Sequence, residues 1–289
     1  MLVFDEGPGV GLGHRRRMEA LAAELTSRGY DCALVALDAT STVAADVVVV
    51  DSYRLRADAA TFARARVVGA VDDLGRDLAV DVVVDPSPGA VGAAHRRARR
   101  VLAGAAYALV SEPHSDTIEA AVDEPVARVV VTMGAADAEG VGACIADTLA
   151  QCELSSGAGL VEIRLVVGPW GASDVPCGVT QVWAPDGLGR ELASASVVVT
   201  AGGVSLLESC RLGRPIVAVA LADNQRQAVF GLEQEGAVIV ATPQTVVGAV
   251  RSLVDDRHRR QMLSAAARSA IDGEGAARVA DMLEQLAFR

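Results

Sequence analysis

The chain alternates short, valine-rich apolar runs with segments of helical periodicity. Residues 2–4 form the first run, and Met18, Leu21 and Leu25 follow at helical spacing before Gly29, a residue type that commonly ends a helix. The later apolar runs, each of strand length, occupy residues 32–37, 47–50, 67–71, 82–84, 129–132, 163–167, 179–183, 197–200, 216–220 and 238–240. Strands that alternate with helices predict parallel sheets, so the pattern indicates the α/β class.

A polar, acidic segment with two prolines divides the chain into halves of similar size. We expect an N-terminal domain at residues 1–112, a linker at 113–126 and a C-terminal domain at 127–289. The pattern at residues 243–288 predicts two or three helices. The last of these helices is a candidate to pack against the N-terminal domain. The expected architecture is two Rossmann-like domains that face each other across a cleft.

Composition narrows the class of protein. Of 289 residues, 51% are apolar but only 3% are aromatic, so the core must be Ala, Val and Leu, which suits parallel sheets covered by helices on both faces. The net charge of −11 disfavours nucleic-acid binding and anionic membrane surfaces. Five scattered cysteines indicate reduced thiols in a cytoplasmic protein. We find no membrane-spanning run, no N-terminal signal and no metal-binding motif, and we expect neither a metal nor a cofactor.

Aspartates stand at or just after the ends of three predicted strands in the first half: Asp51, Asp72 and Asp85. In open parallel sheets, ligands bind outside the carboxyl ends of the strands. These three side chains are therefore candidates for contact with a ligand.

A glycine-rich loop leaves the first strand and opens the first helix. Gly9, Gly11 and Gly13 alternate before His14, and glycine allows a backbone to approach a ligand closely. The helix start offers free N–H groups to an anion, and a histidine titrates near neutrality, so His14 is a candidate acid or base. The competing interpretation is a tight turn followed by an exposed histidine.

A second glycine loop follows the strand at 197–200. Gly202, Gly203 and Val204 lead into a helix with Ser205 near its start, which would aim backbone N–H groups at a phosphate. Glu208, one turn beyond Ser205, is positioned to accept hydrogen bonds from two ribose hydroxyls. The alternative is a capping box, with Ser205 as the cap and Glu208 at the third helical position.

Polar residues also follow the strand at 216–220. Asp223, Asn224 and Gln225 stand in a row that suits sugar hydroxyls, although Asp223 is equally suited to be the N-cap of the next helix. We expect the remaining histidines and two arginine runs to be exposed to solvent: His95, His114, His258, residues 96–100 and residues 257–260.

In chain order, these motifs resemble those of the GT-B-fold UDP-sugar hydrolases of pseudaminic acid biosynthesis and their glycosyltransferase-like relatives. The sequence GLGHRRR is similar to the family's G-x-G-H-x-x-R and matches it at Gly11, Gly13, His14 and Arg17. Further similar segments are VVVDSYRL at 48–55, AVDDLG at 70–75, DVVVDPSPG at 81–89, LAGAAYALV at 102–110 (a strand in the family), VVVTMGAAD at 129–137, TAGGVSLLESCRLGRP at 200–215 and LADNQ at 221–225.

This resemblance implies a GT-B fold, catalysis through His14, and UDP held by the loop and helix at 202–208. It also places a set of residues on the sugar or acceptor side of the site: Arg17, Asp51, Tyr53, Asp72, Asp85, Gly134, Asn224 and Gln225. Three positions depart from the family pattern: GAAD replaces a GGsD loop at 134–137, Asp85 replaces an asparagine, and Ser111 and Glu112 stand where an arginine is usual.

The departures fall on the acceptor side and favour a transferase over a hydrolase. We expect an inverting glycosyltransferase that uses a UDP-sugar and a small polar acceptor, similar to small antibiotic-pathway enzymes of the cytosylglucuronate synthase type. Besides His14, Asp5 and Asp223 are candidate bases at strand ends. The alternatives are a UDP-sugar hydrolase and a non-catalytic nucleotide-sugar binding protein. A nicotinamide-dependent enzyme is disfavoured by the glycine spacing.

Overall fold

The computed structural model describes residues 1–37, 45–55, 62, 64–111, 120–135, 137, 139–171, 175–184 and 187–288. The chain forms two compact units: unit 1 is Met1–Glu112 with Asp272–Arg289, and unit 2 is Pro113–Ile271.

The strands are β1 Leu2–Phe4, β2 Leu34–Ala36, β3 Val47–Asp51, β4 Val67–Val71, β5 Val82–Asp85, β6 Arg100–Ala103, β7 Arg128–Thr132, β8 Ser155–Ser156, β9 Gly159–Leu160, β10 Glu162–Val167, β11 Val179–Trp183, β12 Val197–Ala201, β13 Ile216–Val219 and β14 Ile239–Ala241. The helices are α1 Gly13–Ser27, α2 Val141–Gln151, α3 Gly189–Ser194, α4 Val204–Arg211, α5 Asp223–Gln234, α6 Val246–Asp255, α7 Arg257–Ala270 and α8 Gly275–Ala287.

Unit 1 is built on a parallel sheet with the strand order β2-β1-β3-β4-β5-β6. Strand β2 lies on one side of β1, and β3 to β6 follow on the other side. The direction in which strands are added therefore reverses between β1 and β3. In open α/β sheets such a switch point leaves a crevice at the carboxyl ends of the two strands, where ligands bind.

The two faces of the unit 1 sheet are covered differently. Helices α1 and α8 pack on one face, through side chains such as Met18, Leu21 and Leu283. Connecting segments cover the other face, through Leu78 and Val80 among others. The expectation of helices on both faces is therefore wrong for the described part of unit 1, because these connections bury their apolar side chains without forming helices.

The main sheet of unit 2 has the strand order β11-β10-β7-β12-β13-β14, and its six strands are parallel. Numbered within the unit, this is the Rossmann order 3-2-1-4-5-6, and its switch point lies between β7 and β12. Helices cover both faces: Ile145 of α2, Leu253 of α6 and Leu263 of α7 belong to one core, and Leu192 of α3 to the other.

Nearly all of the predicted elements form, within two residues of the expected bounds, and the last helical region is three helices. The strand inferred at 102–110 is wrong beyond Ala103. Gly104 has a φ of 104° there, a conformation that ends extended structure, and a turn of 3₁₀ helix follows at Ala105–Tyr107. The short β8–β9 hairpin was not predicted, since two-residue strands leave no periodic pattern.

Two buried arginines fix the segment that enters unit 2. Arg214 donates to the carbonyl of Ala120 over 2.6 Å, and Arg260 donates to the carbonyls of Val122 and Glu124 over 3.2 and 2.9 Å. The expectation that Arg260 is solvated is thus wrong, because main-chain carbonyls replace its water. Unit 2 includes the whole segment 113–126 that was predicted as a linker, and residues 113–119 of that segment lie outside the described part of the chain.

Helix α8 docks closely on unit 1. Arg28 of α1 donates to Asp281 over 2.6 Å, and Arg278 donates to the carbonyl of Ala106 over 2.9 Å. At the start of the helix, a Cβ on Gly275 would lie 2.1 Å from the carbonyl oxygen of Ala108. Only glycine allows this approach without displacement of the backbone.

We therefore expect Gly275→Ala to lower the free energy of unfolding by about 1–3 kcal/mol, the usual effect of overpacking. Gly248→Ala in α6 is a matched control, because nothing lies within 4 Å of its added Cβ. That substitution should stabilise its helix by up to about 1 kcal/mol. Thermal unfolding of both variants checks the prediction, and equal changes in the two would contradict it.

Candidate functional site

The loop between β1 and α1 turns back on itself at the switch point of unit 1. Gly7 and Gly11 have φ angles of 140° and 83°, and the amide of Gly11 donates to the carbonyl of Gly7 over 2.7 Å. The turn therefore requires glycine at these two positions. It sets His14 as the second residue of α1 and Arg17 one turn later on the same face.

His14 is paired with the carboxylate that ends β3. Its Nδ1 contacts Oδ1 of Asp51. Arg17 holds the same carboxylate in a fork, with Nε 2.7 Å from Oδ2 and Nη2 2.9 Å from Oδ1. His14 is 2% exposed and Asp51 is 1% exposed, so the interpretation of His14 as an exposed loop residue is wrong.

The pairing determines which ring nitrogen of His14 is free. A carboxylate only accepts hydrogen bonds, so contact with Asp51 places the proton on Nδ1. Nε2 then presents a lone pair and has no hydrogen-bond partner among the residues that the structure describes. A buried carboxylate that orients an imidazole in this way also stabilises the imidazolium that forms when Nε2 takes a proton.

Tyr53 and Asp73 complete this network. Arg17 donates from Nη1 to Asp73 over 2.9 Å, and the Tyr53 hydroxyl donates to the same carboxylate over 3.0 Å. Burial acts to raise the pKa of Asp73, but the charge of Arg17 and the hydrogen bonds from Arg17 and Tyr53 together lower it. The Tyr53 ring packs edge-on against His14 with centroids 4.3 Å apart, which holds the imidazole plane.

Asp5 is a fully buried hydrogen-bond acceptor. It accepts from the Ser52 hydroxyl over 2.9 Å, the Tyr53 amide over 2.8 Å and Arg54 Nε over 3.2 Å. Burial acts to raise the pKa of Asp5, but these hydrogen bonds lower it. Asp5 therefore stabilises the loop after β3. Because its carboxylate is used in this way, the geometry favours His14 as the base.

The ends of β4 and β5 carry a second polar group. Both carboxylate oxygens of Asp72 accept from Arg76, whose Nη2 also donates to the carbonyl of Ser52 over 2.8 Å. Oδ2 of Asp85 lies 3.5 Å from Nε2 of His95. The expectation that His95 is solvated is wrong, since its side chain is 0% exposed. His258 is exposed, and His114 lies outside the described residues.

In unit 2, α4 begins at the switch point between β7 and β12. Its N-cap is Gly203, and no side chain caps it. Ser205 is the second residue inside the helix, so the capping-box interpretation is wrong. The free N–H groups of this turn form an anion-binding arrangement, with Val204 at the first helical position and Glu208 one turn beyond Ser205.

The two glycines before α4 have different surroundings, so different constraints explain them. A Cβ on Gly202 would lie 2.7 Å from side-chain atoms of Gln225 and Val229, so packing explains that glycine. Nothing lies within 4 Å of a Cβ on Gly203, and its φ of −96° suits any residue. Close approach of a ligand would account for glycine at position 203.

The N-terminus of α2, by contrast, is capped by a carboxylate of the chain itself. The carboxylate of Asp137 accepts from the amides of Val141 over 3.0 Å and Gly142 over 2.8 Å. This carboxylate neutralises the helix end beside the Gly134 loop, so α4 is the better anion site. Gly134 has a φ of 92° and thus requires glycine for its turn. Ala136 of that loop lies outside the described residues.

Helix α5 begins at Asp223, and its N-cap is Ala222, so the interpretation of Asp223 as the cap is wrong. The Asp223 side chain is 97% exposed and pairs with Arg226. The amide oxygen of Gln225 accepts from the amides of Leu221 over 3.0 Å and Gly202 over 3.3 Å, which braces the loops after β12 and β13 together. Asn224 lies half-buried in the same turn.

Sequence reasoning missed Trp183, the last residue of β11. Its side chain is 58% exposed at the carboxyl edge of the unit 2 sheet. In a chain with two tryptophans, an exposed one at a ligand-binding edge offers a stacking surface. Its position at a strand end was the only signal available.

No family model matches the chain. Over 123 residues it is 34% identical to the UDP-N-acetylglucosamine–N-acetylmuramyl-(pentapeptide) pyrophosphoryl-undecaprenol N-acetylglucosamine transferase of Acidiphilium cryptum (strain JF-5). The match covers 39% of this chain and 33% of the relative, so the chain spans about a third of the length of this curated relative.

Similar solved structures cover nearly the whole chain. The spinosyn rhamnosyltransferase SpnG complexed with thymidine diphosphate has a TM-score of 0.62 at 16% identity, over 97% of this chain and 99% of that one. The glycosyltransferase of kitacinnamycin has a TM-score of 0.65 at 15% identity, over 99% and 98%. Acinetobacter baumannii MurG has a TM-score of 0.57 at 14% identity, over 98% and 99%. The predicted fold class is confirmed: two Rossmann-like units with parallel sheets, the GT-B fold.

The described residues include neither a membrane-spanning helix nor a metal-binding cluster. No helix there has both the length and the apolar character required to cross a bilayer. No group of three or more His, Cys, Asp or Glu side chains there is arranged to hold a metal ion.

Proposed function

We propose that the protein is an inverting glycosyltransferase that moves a sugar from a UDP-sugar to a small polar acceptor. The observation that carries the proposal is the buried His14–Asp51 pair at the switch point of unit 1. It supplies a base with a fixed tautomer at the edge where open α/β sheets bind ligands.

The reaction follows from this pair. Nε2 of His14 removes the proton from an acceptor O–H or N–H as that atom attacks the anomeric carbon. The bond from this carbon to the diphosphate oxygen breaks, and UDP leaves with the electron pair. One displacement at the carbon inverts its configuration. Asp51 stabilises the imidazolium formed, and Arg17 keeps Asp51 in position.

The start of α4 is assigned to the diphosphate. Its free amides and helix dipole would stabilise the charge that develops on the leaving group. Glu208 would accept from the ribose hydroxyls, and Trp183 would stack on the base. The curated relative carries UDP-N-acetylglucosamine in its name, which supports uridine, whereas a solved structure of the same fold is a complex with thymidine diphosphate.

We expect UDP to raise the thermal stability of the protein by an amount equivalent to about 2.7 kcal/mol at a hundredfold excess over its Kd. Gly203→Ala should lower UDP affinity about tenfold or more, because the added methyl group meets the ligand rather than the protein. Melting scans with UDP, TDP, GDP and ADP, and titration of the variant, measure both effects.

Gly189→Ala is the control, since a Cβ there also has nothing within 4 Å and α3 carries no assigned contact. It should leave UDP affinity unchanged. If no nucleotide shifts the melting temperature, the proposed function is wrong. A larger shift with another nucleotide would contradict the choice of uridine alone.

Release of UDP from a panel of UDP-sugars tests the transferase itself. A transferase must exclude water from its donor, so release should be slow alone and much faster with a suitable acceptor, with the glycoside identified by mass. Fast release of free sugar without any acceptor would contradict the transferase and indicate the hydrolase instead. Release should be measured with neutral and weakly basic acceptors, because the carboxylate of Asp85 ends β5 at this edge of unit 1.

A further inference from the structure

A buried polar cluster at the ends of β4 and β5 is separate from the His14–Asp51 pair. It comprises Asp72, Arg76, Asp85 and His95. Nδ1 of His95 lies 3.0 Å from the carbonyl oxygen of Arg76. A carbonyl oxygen only accepts, so this contact places a proton on Nδ1.

The other ring nitrogen of His95 is buried without a hydrogen-bond partner in the described part of the chain. Its nearest charged neighbour, Oδ2 of Asp85, is 3.5 Å away, beyond the usual limit of about 3.2 Å for a hydrogen bond. A buried polar atom left unpaired destabilises the fold, because it has lost its water without gaining a partner. At the ligand-binding edge of a sheet, such an atom indicates a partner that comes from the ligand.

The charges around His95 define what this partner must be. Asp72 lies 3.9 Å from Nδ1, but both of its oxygens already accept from Arg76. Asp85 accepts from the amide of Ser87 over 3.2 Å, and burial raises its pKa because these contacts stabilise its charge incompletely. Among the described residues, Asp85 and His95 therefore present two neighbouring acceptors, a carboxylate oxygen and the unpaired ring nitrogen.

We propose that Asp85 and His95 bind an amino group of the acceptor substrate, one N–H to each. The proposal rests on the proposed function, because it defines the acceptor of that reaction. Asp85 ends β5, and Asp51 ends β3 two strands away in the same sheet. At about 4.8 Å per strand, the amino group lies roughly 10 Å from the atom that His14 deprotonates.

Matched pairs of small molecules test this without knowledge of the natural acceptor. Cytosine is compared with uracil, and benzylamine with benzyl alcohol, so that one member of each pair lacks the amino group and the arms separate aminopyrimidines from alkylamines. Binding is followed by NMR of histidine ring-labelled protein, with the His95 resonance assigned by His95→Gln. In at least one pair, the amino compound should shift this resonance and bind about tenfold or more tightly than its partner.

Asp85→Asn should remove most of that preference, because a carboxamide is uncharged and turns a donor toward the ligand. Asp31→Asn, which removes one exposed charge from the same unit, should keep it. If Asp85→Asn does not fold, the wild-type comparison decides. Equal binding within both pairs overturns the proposal even where UDP binds. An amino preference at His95 without UDP binding contradicts the proposed function and leaves this site standing.

Discussion

Turnover is expected to fall by roughly 10²–10⁴-fold when His14 is replaced by asparagine, the range usual for a positioned base. The physical reason is the loss of Nε2, the nitrogen that contact with Asp51 leaves free to take a proton. Because the nucleotide is assigned to unit 2, the affinity for UDP should change little. Steady-state turnover with acceptor present, and calorimetric titration with UDP, measure the two quantities.

His258→Asn is the matched control, since that histidine is exposed on α7 in unit 2. It should keep wild-type turnover. Asp51→Asn should lower turnover as well, because an amide neither fixes the proton on Nδ1 nor stabilises the imidazolium. Near-wild-type turnover in His14→Asn would contradict the base, and UDP binding without turnover in the wild type would support a non-catalytic binding protein.

Arg17→Leu is expected to lower the free energy of unfolding by about 3–5 kcal/mol, the effect of removing one partner from a buried ion pair. Arg17 lies between the carboxylates of Asp51 and Asp73, and both would remain buried without their cation. Arg15→Leu is the control on the same helix. Arg15 is half-exposed and pairs with Glu19 at the surface, so its loss should change stability by about 1 kcal/mol or less.

The difference between Arg17→Leu and wild type should depend on pH. The pKa of Asp73 is lowered in the fold, so its contribution is present above the unfolded pKa of about 3.9 and is lost as pH falls through the folded value. In the variant, protonation relieves the unpaired carboxylates instead. Denaturant unfolding at a series of pH values from 7 downward should therefore show the difference between the two proteins shrink as the pH falls below about 3.9, and a constant difference would contradict the ion-pair account.

The sequence alone predicted most of the sheet because valine runs mark buried parallel strands. It also placed Asp51, Asp72 and Asp85 at the carboxyl edge. The sequence could not show which of these carboxylates joins the His14 network, because neighbouring residues at a strand end point in different directions. Asp73 joins the His14 network, whereas Asp72 is bound by Arg76.

Other features of the site could not be predicted from the pattern of apolar and polar residues. The segment between β5 and β6 has no periodicity, so nothing showed that His95, which precedes four arginines in the sequence, is buried. The amide oxygen of Gln225 bonds to two backbone amides from different loops, one of them 23 residues away. Such contacts depend on how loops meet in space, which single-sequence patterns do not encode.

The return of α8 to unit 1 has a consequence during synthesis on the ribosome. The sheet of unit 1 is not covered by α8 until the roughly 160 residues of unit 2 have been made. At about 5–20 residues per second, this takes roughly 8–30 s. Throughout that interval the nascent chain lacks the apolar cover that Val279 and Leu283 later provide for Met18 and Leu21. The half of the protein translated first is thus the half completed last, and the nascent chain presents a surface that a chaperone can bind in the meantime.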